Sequence, residues 1–184
     1  IIYNTYQMYR TGKLEDLKLS FEKAKAGNYI LGAKIVRGAY MEKERKRAAE
    51  KNIPSPIQQT KPLTDQQYND GIRFCLESPD QISICNSSHN WESNRLQTEL
   101  MFQRKIPKDH PHMNFCQLFG MSDNLTFNLA ANGYFVAKYV PYGPVKDVIP
   151  YLTRRAQENT SITGDMSREL KLLDQEMRRR GLLH

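Results

Sequence analysis

Five times along this chain a short run rich in β-branched and aromatic residues gives way to a longer charged stretch whose apolar residues recur at helical spacing. The runs 1–6, 29–39, 81–86, 113–118 and 134–139 read as strands. The stretches 13–26, 41–51, 65–77, 91–104 and 122–131 read as helices, followed by one opening at Pro144 and a last one over 167–180. Leu14, Leu17, Phe21 and Ala24 line one side of the first helix, which Gly27 stops. In the second, Glu42 with Lys46 and Arg47 with Glu50 stand one turn apart. Pro54, Pro56 and Pro62 interrupt the rhythm before the third. Trp91, Leu96 and Leu100 are the residues expected to pack the fourth, and Val145, Val148, Ile149, Leu152 and Ala156 the buried face of the sixth.

A strand–helix repeat of this kind demands right-handed crossovers and a mostly parallel sheet, so the architecture is α/β, either doubly wound or a barrel. A complete eight-unit barrel averages about 250 residues, or roughly 31 per unit, and the spacing here is comparable. The expected fold is therefore a partial (βα)8 TIM-like barrel. It has about five βα units plus a C-terminal helix, with the early units missing, and 1–184 form a single incomplete barrel domain. The chain opens Ile1-Ile2-Tyr3 without an initiator methionine and reads as a piece of something longer.

Composition narrows the function classes. With 39% hydrophobic and 26% charged residues among 184, disorder and collagen-like structure are excluded. No apolar run approaches the roughly 18 residues that a spanning helix needs. Cys75, Cys85 and Cys116 are odd in number and lack CxxC spacing, which argues against a disulfide framework or a zinc site and for a reducing compartment. His110 and His112, beside Asp109 in a proline-bounded loop, read as a turn, and no metal is expected. A net charge of +7 and a pI near 9.3 suit nucleic acid, an anionic lipid surface or a phosphate-bearing cofactor.

In barrels the chemistry gathers at the carboxyl ends of the strands. Lys34 and Arg37 lie there before Gly38, Ala39 and Tyr40; alternation sets the two cations on opposite faces, although a bend at Gly38 would bring both heads to one mouth. They either hold an anion or are solvated. His89 and Asn90 either bind a ligand or cap the helix that follows. Cys85 sits within a strand pattern and reads as a core thiol. Arg154 and Arg155 are adjacent on a helix with Glu158 one turn on. They form either a fork for a carboxylate or a salt-bridged surface.

The segments Asn4-Thr5-Tyr6-Gln7, Lys34 to Tyr40, Ser88-His89-Asn90, Gln117 to Met121, Tyr139 to Gly143 and Tyr151 to Asn159 together resemble the proline dehydrogenases, especially the eukaryotic mitochondrial form, along essentially the whole chain. The resemblance implies a distorted (βα)8 barrel that oxidises L-proline to 1-pyrroline-5-carboxylate with FAD. A membrane quinone is the implied electron acceptor, and the matrix side of the inner mitochondrial membrane the workplace, with peripheral membrane association. It implies that Arg154 and Arg155 grip the substrate carboxylate beside Glu158, and that Tyr139, Leu118 and Tyr40 line the ring pocket. It implies as well that Lys34 lies beside flavin N5 and that Asn4, Arg37, Gly38, Ala39, Lys61, His89 and Asn90 contact flavin or dinucleotide. The family's first strands also supply a lysine and an aspartate that this sequence does not contain, so the chain alone is expected to be inactive, with exposed strand edges. Rival readings are a 4-hydroxyproline dehydrogenase, a basic nucleic-acid-binding domain and a non-catalytic scaffold. Clustering of the tyrosines at strand ends speaks against nucleic acid.

Overall fold

The computed structural model describes residues 1–160 and 174–182, the side chains of 156–160 excepted. The chain divides into two compact units, Ile1–Val140 and Pro141–His184. In the first, five strands alternate with helices: β1 (Tyr3–Gln7), α1 (Lys13–Ala26), β2 (Leu31–Val36), α2 (Met41–Glu50), α3 (Lys61–Cys75), β3 (Ile82–Ser87), α4 (Trp91–Gln103), β4 (Met113–Leu118), α5 (Asp123–Ala131) and β5 (Phe135–Tyr139). The second unit contains α6 (Val145–Thr160) and helical residues 174–179, the described part of the last expected helix.

The strands are all parallel and stand in chain order, β1-β2-β3-β4-β5. A doubly wound sheet reverses its strand order at a switch point, whereas a barrel never does. Sequential order is therefore the arrangement of a barrel arc.

One face of the sheet is sealed. Ala33, Ile35, Ile82, Ile84, Met113 and Phe115 are fully buried against the helices, joined by Leu17, Phe21 and Ala24 of α1 and by Tyr68, Ile72 and Cys75 of α3. Burying such side chains is the main favourable term, about 1.5–3 kcal/mol for each large one. The helix ends follow local rules. Thr60 Oγ1 accepts from the Leu63 amide at 3.4 Å to open α3, four residues ahead of the start expected at 65. Asn90 Oδ1 accepts from the Ser93 amide at 2.9 Å to open α4.

The opposite face is polar and curved. Thr5, Lys34, Cys85, Asn114 and Phe135 fall in one row across the five strands. The Tyr3 hydroxyl on β1 lies 2.6 Å from Ser83 Oγ on β3 and accepts from Asn114 Nδ2 on β4 at 3.3 Å. β1 and β4 are three inter-strand spacings apart, about 14 Å in a flat sheet, so these bonds require the sheet to bend toward this face.

Several expectations are corrected. Leu100 packs against the core as expected, but Trp91 is exposed and Leu96 half-buried; α4 also buries Ser93, Asn94, Gln97 and Met101, the first two of which meet polar groups from other elements. Within α6, Val145, Ile149 and Leu152 are exposed, so those residues form no buried face; the side chain of Ala156 lies outside the described residues. Gly27 has ordinary helical φ, and the left-handed residue that ends the α1 turn is Asn28 at φ 51°. Lys46 pairs with Glu50 at 3.9 Å, one turn along α2.

Candidate functional site

Lys34 and Tyr139 mark the site. Lys34 is half-buried on β2, and its Nζ lies 4.9 Å from the ring centroid of Tyr139 at the end of β5. These strands too are three spacings apart, so the contact exists because the sheet curves. Leu118, the last residue of β4, is directly opposite Tyr139 in register and 8% exposed, against 44% for Tyr139. Three of the expected residues thus share the carboxyl ends of the curved face: a cation, a phenol and an aliphatic side chain.

Arg37 does not join them. Its Nε donates to Asp65 Oδ1 at 2.6 Å, Nη1 to Ser88 Oγ at 2.9 Å and Nη2 to Ser93 Oγ at 2.9 Å, while the guanidinium lies 4.3 Å from the centre of the Tyr68 ring. It points into the helix layer and ties α3 and α4 to the end of β2; the bend at Gly38 does not bring it to Lys34. Lys61 Nζ donates to the other oxygen of Asp65 at 2.6 Å. Burial alone would raise the Asp65 pKa, but the hydrogen bonds from Lys61 and Arg37 outweigh it and hold the carboxyl below the usual carboxylate range. Beneath this lies Tyr68, whose hydroxyl is 2.5 Å from Asn86 Oδ1 and 3.2 Å from the Ile35 carbonyl.

Gly38 has φ +125°, and a Cβ there would overlap the ring of Tyr9, so glycine is required by the protein's own packing. Ala39 is half-buried beside it, and Tyr40 is the N-cap residue of α2 with its ring 41% exposed. Asn90 caps α4, while His89 Nδ1 pairs with Ser122 Oγ at 2.9 Å. Asn4 is exposed on β1, its Oδ1 accepting from the Thr5 amide at 3.0 Å. Strand alternation sets it on the side of Tyr6, away from Lys34.

In the second unit Arg154 is exposed on α6, and Arg155 is half-buried with its guanidinium 5.1 Å from the centre of the Tyr151 ring. Glu158 belongs to α6, but its side chain lies outside the described residues.

Cys85 is not a core thiol. It sits on the curved face opposite Lys34 in register, half-buried, with Sγ 3.4 Å from Ser87 Oγ. Asp65, Tyr68 and Ser122 were also missed; apart from Lys61, one turn before Asp65, their partners are too distant in sequence for a local pattern to reveal. His110 Nε2 lies 3.3 Å from Asp80 Oδ1 and His112 Nδ1 3.0 Å from the Pro79 carbonyl, tying their turn to the α3–β3 connection.

A half-buried cation flanked by phenol and aliphatic groups is a donor set suited to a flat ring on which negative charge develops. It fits a flavin better than a metal, for which no cluster of three or more ligating side chains exists among the described residues.

A family model described as proline dehydrogenase matches residues 1–168. The chain is 43% identical over 187 residues to proline dehydrogenase 1, mitochondrial, of Dictyostelium discoideum, covering 98% of this chain and 33% of that protein. It is 40% identical to the human protein of that name, covering 98% of this chain and 30% of the relative. Bovine hydroxyproline dehydrogenase is also 40% identical, with 97% and 40% covered. Proline utilization A from Bdellovibrio bacteriovorus, crystallised after inactivation by N-propargylglycine, superposes with a TM-score of 0.81 at 27% identity, over 86% of this chain and 16% of that one. The chain thus spans about a third of the length of the first two relatives.

Proposed function

Because the chain belongs to the proline dehydrogenase family, we propose that residues 1–184 form part of a single barrel domain that oxidises L-proline to 1-pyrroline-5-carboxylate with FAD. The observation that most supports this reading is the approach of Lys34 Nζ to within 4.9 Å of the Tyr139 ring centre, since it gathers two of the expected site residues, from strands far apart in the sheet, at the carboxyl ends. When bound, the flavin supplies the two-electron acceptor.

The residues of the chain position and stabilise. Lys34 provides fixed positive charge where negative charge grows during hydride transfer, at no cost in reorganisation. Tyr139, Leu118 and Tyr40 hold the face of the pyrrolidine ring, so that its reactive carbon has one orientation. Arg154 and Arg155, with Glu158 one turn on, clasp the carboxylate. His89, Gly38, Ala39, Lys61, Asn4 and Asn90 are assigned to the flavin and its dinucleotide. Arg37 is assigned with them, although its guanidinium and the side chain of Asn90 already have protein partners. Electrons leave to a membrane quinone. The net charge of +7 suits an anionic bilayer surface, on the matrix side of the inner mitochondrial membrane.

Anaerobic titration of the full-length flavoprotein with L-proline tests this. Bleaching of the flavin band is expected, and Arg155→Met should raise the proline concentration for half-bleaching at least about tenfold by removing half of the fork. A band that proline leaves unchanged sinks the reading. The similar identity to bovine hydroxyproline dehydrogenase supports a second substrate, 4-hydroxyproline. Competition between the two substrates for one flavin decides which is preferred.

A further inference from the structure

Two thiols share the curved face of the sheet with its cation, and neither is among the residues assigned above to proline oxidation. Cys85 on β3 is opposite Lys34 on β2, and Ser87, two residues along β3, is opposite Cys116 on β4. Alternation puts Cys85, Ser87 and Cys116 on the same face as Lys34, away from the helices. Ser87 Oγ lies 3.4 Å from Cys85 Sγ, and Cys116 stands across from that Ser87 on the neighbouring strand. The third cysteine, Cys75, is fully buried in the helix-side core.

We propose that Cys85 is a site of covalent modification by small soft carbon electrophiles of the α,β-unsaturated carbonyl class, with Ser87 as the hydrogen-bond partner of its sulfur and Lys34 as its counter-charge.

The chemistry follows from where charge can rest. The thiolate is the nucleophile, and it forms where donors and a cation outweigh desolvation. Among the described residues, the titratable groups on this face are Lys34, Cys116, Tyr3 on β1 and Tyr139 on β5. Of the two thiols Cys85 is the more exposed, Cys116 being 8% exposed. The neighbouring Cys116 lowers the Cys85 pKa, with Ser87 and the charge of Lys34 acting in the same direction against burial. The neighbouring Cys85 and burial push Cys116 up, and burial with the charge of Glu77 pushes Cys75 up. Beside Lys34, next to Ser87 and the more exposed of the pair, Cys85 is therefore the thiol best placed to react. Its sulfur bonds to the β-carbon of the acceptor, the alkene electron pair moves to the carbonyl oxygen as an enolate, and the α-carbon takes a proton from water. The proton given up by Cys85 has already gone to solvent, so thiol and acceptor sum to one adduct with no leaving group.

Acrylamide is the probe. The folded protein, incubated with it between pH 5 and 9, quenched and digested, is mapped for S-propionamide at each cysteine by mass spectrometry. Cys85 is expected to label at least about tenfold faster than Cys75 or Cys116 at pH 7, its rate rising at lower pH than that of free cysteine. Lys34→Gln should slow Cys85 and leave Cys75 unchanged. Labelling that begins at Cys116 or Cys75, or that reaches Cys85 only after denaturation, overturns the proposal. Neither proline nor flavin reduction enters the readout, so failure here is distinct from failure of the functional reading.

Discussion

Arg37 Nε donates to Asp65 Oδ1 at 2.6 Å, joining the end of β2 to the second turn of α3 with both side chains largely out of solvent, 22% and 28% exposed. A charge pair so placed makes stability depend on pH. The Asp65 carboxyl is held below its usual range, so the folded state binds its proton less readily than the unfolded chain. The contribution is therefore fully present above the unfolded carboxylate range, about pH 4, and is lost as pH falls through the lower folded value. Asp65→Asn should cost about 1–3 kcal/mol at pH 7, by leaving Arg37 without its counter-charge. In urea unfolding at a series of pH values, the gap between wild type and variant should be flat from pH 7 to 5 and close below pH 4. A gap that widens with acid would show that Asp65 is not the anion of this pair.

Tyr68 is the second test of the same layer. It is fully buried, burial pushes its pKa up, and its hydroxyl proton serves Asn86 Oδ1 and the Ile35 carbonyl. Tyr68→Phe keeps the ring under Arg37 and removes the donor, leaving the Asn86 oxygen buried without that partner. The expected loss is about 1–3 kcal/mol in urea unfolding, with the flavin spectrum unchanged. An unchanged midpoint would mean that water replaces the hydroxyl.

Most of the fold was legible. The rhythm of five strands and helices located every element of the first unit to within a few residues, since hydrophobic period is a local property, and the apolar stripe of α1 matches the buried Leu17, Phe21 and Ala24. The inner side of α4 was not legible. Its Ser93 and Asn94 are buried against partners, Arg37 and Gln117, that lie 56 and 23 residues away. For the same reason Arg37 read as a free basic head, when its three partners lie 28, 51 and 56 residues away. Lys34 and Tyr139 were each expected at the site, but their meeting depends on sheet curvature, which strand patterns alone do not encode.

That meeting yields the sharpest test of chemistry. A lysine held 4.9 Å from the Tyr139 ring centre has its charge aimed by the aromatic face and kept half out of water, where a point charge acts more strongly than at the surface. If Lys34 stabilises charge growing on the flavin, Lys34→Met should slow proline-driven flavin reduction at least about tenfold at saturating substrate, and Lys34→Arg should restore most of it, because what matters is a cation at that place. Stopped-flow absorbance of the full-length flavoprotein under anaerobic conditions measures the rate directly. The flavin midpoint potential should fall in the methionine variant and remain near wild type in the arginine one. A Lys34→Met protein with wild-type reduction rate and potential would leave Lys34 a packing partner of Tyr139 and nothing more.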